Sequence, residues 1–368
     1  MKINSYTKMA LSLSIILLYG CGTSSSSETK PNKPTTELIP QNEPYFKYAW
    51  HLDASTTELN NIGYPINPNA DVHVLEAWNV TKGSGIRVAV IDDGFDISHE
   101  ELRANIISSY NADENNHNVK YDGVYGIHGN TCAGFILASI NNKGISGIAP
   151  KSKLIAIKQV DDNDANLIRA FEYAKNQGAK VISCSWGTGQ VSETIVSELK
   201  SLYNAGITVV FASGNDGIDL DQAGYDESEV PWVIGVGGSG ENNDVTSYSN
   251  YGSNIDILAP SGDTQLSSGI LGIDDTGSNG SQNQKNIVNN NYAFTDGTSF
   301  ACPIVAGAAS LMYSVNPNIT PAQIKDIIIS TADKIGGVNL YNSNGFDKSK
   351  RRAYGKINIS EAVARASR

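Results

Sequence analysis

The sequence predicts one α/β domain built on a doubly wound, mostly parallel sheet with helices on both faces. Three observations carry this: short strands that are apolar almost throughout, helical patterns set between them, and a βαβαβ order through the middle of the chain. A strand without polar alternation is buried on both faces, which a sheet covered on both sides provides.

Arg87–Ile91 is the first such strand, bounded by Gly85 and by Asp92-Asp93-Gly94. Leu154–Val160 is the next. From Leu167 to Gln177, residues Leu167, Ala170, Phe171 and Ala174 recur at helical spacing, and Gly178 is the stop. Val181–Ser185 reads as a strand, 192–204 as a helix, and Thr208–Ala212 and Trp232–Val236 as further strands. Ser299–Val315 is apolar nearly all round and rich in Ala and Gly, so it predicts a buried helix. Thr320-Pro321-Ala322-Gln323 supplies an N-cap, a first-position proline and a capping-box glutamine for a helix over Ile324–Thr331. Between Ser261 and Gly297, Gly, Ser, Asn and Asp dominate, which predicts long surface loops around one short hairpin at most.

A chain of 368 residues with no internal repeat can bury a large core without disulfides. Its 27 Lys+Arg stand against 38 Asp+Glu, a net charge of −11. That balance argues against nucleic acid as a partner, since phosphate binding needs a basic face. An acidic surface serves solubility first, and suits calcium or cationic substrates second.

The N-terminus has a different character. Lys2 and Lys8 precede an apolar stretch, Met9–Tyr19, of signal-peptide length and too short to span a bilayer. It ends in Leu18-Tyr19-Gly20-Cys21, which resembles a bacterial lipobox, although Tyr19 stands where a small residue is preferred. The resemblance implies a signal over residues 1–21, lipidation at Cys21, and an exported, membrane-anchored protein. Gly22 after the cysteine permits outer-membrane sorting in a Gram-negative cell. Residues 22–44, rich in Ser, Thr, Pro, Lys and Glu, read as a flexible tether, and 45–368 as the folded domain. The tether is too short to hold a folding pro-domain. Beyond Cys21 the cysteines are Cys132, Cys184 and Cys302, an odd number with no C-x-x-C spacing, so they predict free buried thiols.

Four segments carry chemistry. Val90-Ile91-Asp92-Asp93-Gly94 ends a buried strand in a carboxylate, at the sheet edge where α/β folds hold ligands. His128-Gly129-Asn130-Thr131-Cys132-Ala133-Gly134 sets a histidine ahead of a run of small residues that predicts a tightly packed helix. Gly297-Thr298-Ser299 opens the long buried helix, so Ser299 sits at its positive end among unpaired N–H groups, although an N-cap serine would sit there too. Phe211-Ala212-Ser213-Gly214-Asn215-Asp216-Gly217 ends another apolar strand with an amide able to face the same crevice, or to shape a turn.

Together, in the order Asp, His, Ser, these segments resemble the signatures of the subtilase family over about Glu43 to Ala364. The resemblance implies a serine endopeptidase with Asp92, His128 and Ser299 as triad and Asn215 in the oxyanion hole. It implies protein or peptide substrates lying extended along Ser185-Trp186-Gly187, with Ala212-Ser213-Gly214 beside them and Trp186 either a subsite wall or core packing. Asp93, Cys132, Ser183-Cys184-Ser185-Trp186-Gly187 and Glu43-Pro44-Tyr45-Phe46 with Trp50-His51-Leu52 also resemble the kexin-like branch, which cleaves after paired basic residues. Asp93 is the specificity candidate on that reading. Thr188-Gly189-Gln190 replaces the acidic run that branch carries, which leaves Asp219, Asp221, Asp226 and Glu227 as acids for the primary pocket. The segment Ser139–Ile145 resembles the family's strong calcium loop. It implies Glu43, Glu101 and Asn141 as side-chain ligands, and carbonyls of Ser139, Lys143 and Ile145, a hard-cation shell.

Other classes fit less well. Gly235-Val236-Gly237-Gly238-Ser239-Gly240 spells a dinucleotide fingerprint, but no helical pattern follows it, so no nucleotide is expected. No H-E-x-x-H is present for a metalloprotease. A catalytically silent surface-binding lipoprotein is the remaining alternative, and a monomer is the expected state.

Overall fold

A computed structural model describes residues 39–121, 128–277, 280 and 284–368. Seven parallel strands form one sheet in the order β2-β3-β1-β4-β5-β6-β7: β1 Arg87–Asp92, β2 Ile106–Asn111, β3 Lys153–Lys158, β4 Val181–Cys184, β5 Thr208–Ala212, β6 Val233–Ser239 and β7 Ile257–Pro260. A separate antiparallel hairpin, β8 Ile270–Ile273 with β9 Tyr292–Thr295, stands in the loop-rich region, where the sequence left room for one short hairpin.

The helices are α1 Val74–Val80, α2 His128–Leu137, α3 Asp164–Asn176, α4 Glu193–Asn204, α5 Thr298–Val315, α6 Pro321–Ser330 and α7 Ile359–Ala366. Period-2 strand geometry divides the core in two. Val88 and Val90 of β1 point into one apolar cluster with α2, α5 and α7, while Ala89 and Ile91 point into a second with α3 and α4. That is why the strands show no polar alternation.

Local chemistry fixes the helix starts. Asn163 caps α3 by accepting from Asn166 N, Ser192 caps α4 through Ile195 N, and Thr320 and Gln323 form a reciprocal capping box at α6. Each such cap stabilises by about 1 kcal/mol. Gly178 and Gly206 end the two loops after α3 and α4 at φ +75° and +78°, a conformation costly for other residues.

The glycine run Gly235–Gly240 lies in and just after β6, not before a helix. A Cβ on Gly235 would stand 2.3 Å from Ser228 O, and one on Gly237 2.6 Å from the Leu258 side chain. These glycines serve close packing around a buried strand.

The folded domain begins earlier than the sequence reading set it. Residues 40–42 form a short 3-10 turn and Glu43 is buried, its carboxylate accepting three backbone N–H groups of the 141–143 loop, so 39–44 belong to the domain and not to the tether. Cys21, the signal and the rest of the tether lie outside the described residues. Cys132, Cys184 and Cys302 are all free and buried.

Candidate active site

The carboxyl ends of β1, β4 and β5 meet the N-termini of α2 and α5, and the four segments singled out in the sequence converge there. β1 delivers Asp92 almost fully buried, and His128 Nδ1 lies 2.8 Å from its Oδ1. Asp92 Oδ1 also accepts from Asp93 N at 2.9 Å, while its Oδ2 has no hydrogen-bond partner among the described residues. Partial burial disfavours charge on the imidazole, but Asp92 outweighs it and holds His128 well above the ordinary histidine value. Gly129 permits this contact: a Cβ there would sit 2.4 Å from Gly94 O and 3.0 Å from the Asp92 side chain.

Asp93 contacts the start of α2. Its carboxylate accepts from Gly129 N at 2.9 Å and His128 N at 3.3 Å, capping the first turn of α2. Burial and the neighbouring Asp92 push its carboxyl up to about 6. The residues lining the cavity beside Ser299 do not include Asp93.

Ser299 is in the first turn of α5, with its backbone held from two sides. Ser185 Oγ donates to Ser299 O at 2.7 Å, and the buried thiol of Cys132 lies 3.5 Å from the same oxygen. Cys132 Sγ also touches the His128 ring, 3.7 Å from Nδ1 and 3.9 Å from Nε2, and Phe300 packs on that ring at 5.3 Å between centroids. Burial pushes the Cys132 thiol up to about 11, so it packs here as a neutral group. Ser299 Oγ donates to the Ser185 carbonyl at 3.0 Å, so its proton is engaged there and has to swing toward His128. Loose hydrogen bonds of this kind are common before substrate binds.

Asn215 follows β5 and is exposed. Its Oδ1 accepts from Thr298 N at 2.8 Å and Thr298 Oγ1 at 3.0 Å, which fixes the amide plane and leaves Nδ2 as the end free to donate. Thr298 Oγ1 accepts in turn from Gly214 N at 3.1 Å. Thr298 and Asn250 were not singled out in the sequence as site residues. Asn250 Oδ1 accepts from Asp216 N and Ile218 N and so shapes the loop after Asn215, a role no local pattern announces.

A cavity of about 410 Å³ opens beside Ser299 and Asn215. Ser185, Trp186 and Gly187 form one side, and Ala212, Ser213 and Gly214 another. Trp186 plays both parts considered for it: it lines the cavity, while its ring packs edge-on against Phe211 and its Nε1 donates to Ile91 O at 2.8 Å. Of the four acids expected in this pocket, Asp226 alone lines it. Asp219 and Asp221 instead pair with Lys350 at 3.3 and 2.5 Å, and Glu227 accepts from Thr188 N and Oγ1.

The residues expected to hold calcium also come together. Beside Glu43, Asn141 Nδ2 donates to Glu101 Oε2 at 2.8 Å, and Tyr292 OH donates to Glu101 Oε1 at 2.7 Å. Burial, with repulsion from Glu43 and Glu100, pushes Glu101 up to about 8. Asn141 Oδ1 is buried with no hydrogen-bond partner, and no backbone N–H among the described residues donates to the carbonyls of Ser139, Lys143 or Ile145. An orphaned amide oxygen beside a buried carboxyl and unused carbonyls fits a hard cation.

The chain is similar to known proteases. The chain is 33% identical to a thermophilic serine proteinase of a Bacillus species over 90% of this chain and 74% of that one. It is 32% identical to a calcium-dependent protease of Trichormus variabilis over 86% of this chain, and spans about half of that relative's length, 51%. It is 30% identical to thermitase of Thermoactinomyces vulgaris over 73% of this chain and 89% of that one. Among solved structures, a protease from Pseudoalteromonas arctica superposes with TM-score 0.74 at 25% identity, covering 89% of this chain and all of that one. Fervidolysin from Fervidobacterium pennivorans superposes with TM-score 0.66 at 27% identity, over 78% of this chain and 44% of that one. The subtilase family profile matches residues 83–356, the span that holds all four segments, and the chain belongs to that family of serine-protease hydrolases.

Proposed function

We propose that the chain is an endopeptidase in which Ser299 is the nucleophile, His128 the general base and Asp92 the residue that orients it. The carrying observation is the 2.8 Å contact between His128 Nδ1 and Asp92, which supports a neutral imidazole that donates its Nδ1 proton to the carboxylate and keeps Nε2 as the base; the raised His128 value puts that neutral form on the alkaline side. Once the Ser299 hydroxyl turns toward His128, its proton passes to Nε2 as Oγ bonds the scissile carbonyl carbon. The new oxyanion accepts hydrogen bonds from Asn215 Nδ2 and from the Ser299 N–H at the start of α5. His128 then gives the proton to the leaving amine as the C–N bond breaks, and water repeats the sequence to release the acid. Substrate lies extended along Ser185-Trp186-Gly187, pairing with it as an added strand.

Calcium at the Glu43, Glu101 and Asn141 cluster is part of this reading. When bound, the ion supplies a cross-link between the N-terminal segment and the loop after α2. Cys21 is proposed as the lipid-bearing residue, on the basic n-region, apolar stretch and lipobox-like end of residues 1–21. The domain then works as a monomer tethered to the cell envelope, where it processes exported proteins. A fluorophosphonate probe tests the chemistry: it must label the wild type and fail on Ser299→Ala. Palmitate labelling in the native host that persists in Cys21→Ala refutes the anchor.

A further inference from the structure

We propose that the enzyme grips the leaving side of its substrate at a distal site. The substrate chain beyond the scissile bond crosses Leu266 and sets an apolar side chain in a cavity walled by Pro65, Val245 and Leu266. This rests on Ser299 as nucleophile and adds a requirement on the segment released as the amine.

Two further cavities continue from the cavity beside Ser299. The first, of about 370 Å³, is lined by Asn215, Tyr248, Asp263, Leu266, Asp296 and Gly297 among others, and shares only Asn215 with the cavity beside Ser299. A substrate carbonyl whose oxygen rests on Asn215 Nδ2 and Ser299 N therefore has this cavity to one side and Ser185-Trp186-Gly187 to the other. The acyl half pairs with Ser185-Trp186-Gly187, so the amine half falls here. The second cavity, of about 360 Å³, is walled by Pro65, Val245 and Leu266 and shares Ser247, Asp263 and Leu266 with the first. The two are consecutive, with Leu266 between them.

Leu266 is 82% exposed, more than any other large apolar side chain among the described residues. Exposed leucines are ordinary on mobile loops, but the turn that carries this one is tied at almost every step. Asp296 Oδ2 accepts from Thr264 N at 2.6 Å and Thr264 Oγ1 at 2.5 Å, and Asp263 Oδ1 accepts from Gln265 N and Leu266 N, both at 3.0 Å. Ser267 N donates to Asp263 O at 2.8 Å, and Gly269 N to buried Glu241 Oε1 at 2.8 Å. The opposite wall is fixed as well. Asn67 N donates to Glu241 O at 2.8 Å, beside Pro65, and Arg352 holds both carboxylate oxygens of Asp244, beside Val245, at 2.8 and 2.9 Å. A leucine held out in water by a fixed turn has little loop entropy to lose on contact, which is what makes a preorganised binding residue effective. The two cavities also differ in chemistry. Asp263 and Asp296 make the first polar, whereas Pro65, Val245 and Leu266 present carbon to the second. A leaving segment that is polar next to the scissile bond and apolar a few residues on matches both.

The test reads the leaving side alone. Active sites are first titrated with the fluorophosphonate probe on a sample of each enzyme, and failure to label defeats the nucleophile assignment, not this one. Unlabelled enzyme at the titrated concentration is then given internally quenched peptides with one fixed acyl half and a leaving half of Ser and Gly. A single Leu is moved from the second to the fifth position of that leaving half. Burying about half of a leucine side chain contributes roughly a five- to tenfold factor, and remote binding of this kind is expressed in kcat/KM. One position should therefore exceed the peptide without Leu by roughly five- to tenfold. Leu266→Ser changes an exposed side chain and leaves folding intact. Within that variant the same Leu/Ser ratio should fall to about twofold, because one wall of the cavity no longer presents carbon. A wild-type scan flat to within about twofold overturns the proposal, and so does a ratio unchanged in Leu266→Ser.

Discussion

Replacing Asn215 tests how the oxyanion site is built. Its Oδ1 takes two hydrogen bonds from Thr298, at 2.8 Å from N and 3.0 Å from Oγ1, so the amide cannot turn over without losing both. Nδ2 is therefore presented as a fixed donor. Asn215→Ala removes that donor and leaves Ser299, His128 and Asp92 in place. The magnitude is carried over from subtilisin, where losing one such donor costs on the order of 10²–10³ in kcat, or about 2.7–4 kcal/mol. Thr298→Val deletes only the weaker of the two anchors. One neutral hydrogen bond contributes about 1 kcal/mol, so kcat should fall roughly fivefold if all of it orients the amide. Steady-state kinetics on a peptide anilide, normalised to titrated active sites, separates the cases. Both variants should lose kcat with little change in KM, and Asn215→Ala much more than Thr298→Val. An Asn215→Ala enzyme with kcat within about threefold of wild type would refute the oxyanion assignment.

Other consequences concern stability. Lys325 Nζ bridges buried Asp256 at 2.8 Å and Val233 O at 2.8 Å, so Lys325→Met should cost about 3–5 kcal/mol by urea unfolding at neutral pH. Burial already raises the Asp256 carboxyl, so that deficit should shrink as acid protonates it; a pH-independent loss argues against the ion pair. His73, at φ 54° before α1, is held by Asp333 and Asp71, whose hydrogen bonds lift it to about 10. A raised histidine stabilises fully below its unfolded value and loses that contribution as pH climbs through the folded one. The Tm gap between wild type and His73→Asn should therefore be widest below about pH 6.5 and close by about pH 10, and a gap that widens with pH contradicts the clamp. If calcium occupies the Glu43–Glu101–Asn141 cluster at about 100-fold its Kd, chelation should lower Tm by roughly 4 °C. Asn141→Ala should show no further drop, and equal sensitivity in both proteins removes the site.

What the sequence made legible was what local chemistry decides. The apolar strands, the capped helices and the three glycine-flanked segments with Asp92, His128 and Ser299 each declare themselves within a few residues. β2 escaped because Ile106–Asn111 is half exposed and carries two serines, and β7 because Ile257–Pro260 is four residues ending in proline. The pocket acids were ambiguous for a different reason. Asp219 and Asp221 differ from Asp226 only through Lys350, more than a hundred residues along the chain, and no reading of the loop alone finds that partner. The capping role of Asp93 was hidden for the same reason, since the amides it caps become visible only when β1 and α2 are brought together.

The nucleophile stands on α5, which lies buried between the sheet and α2 and α7 along almost its whole length. Residues so enclosed exchange their amide protons only when the entire domain opens. Asp216 and Ile218, by contrast, stand in an exposed loop that lines the cavity beside Ser299. Mild heating or denaturant should thus erode selectivity before it erodes reactivity: the warmed enzyme becomes indiscriminate first and inert only on global unfolding.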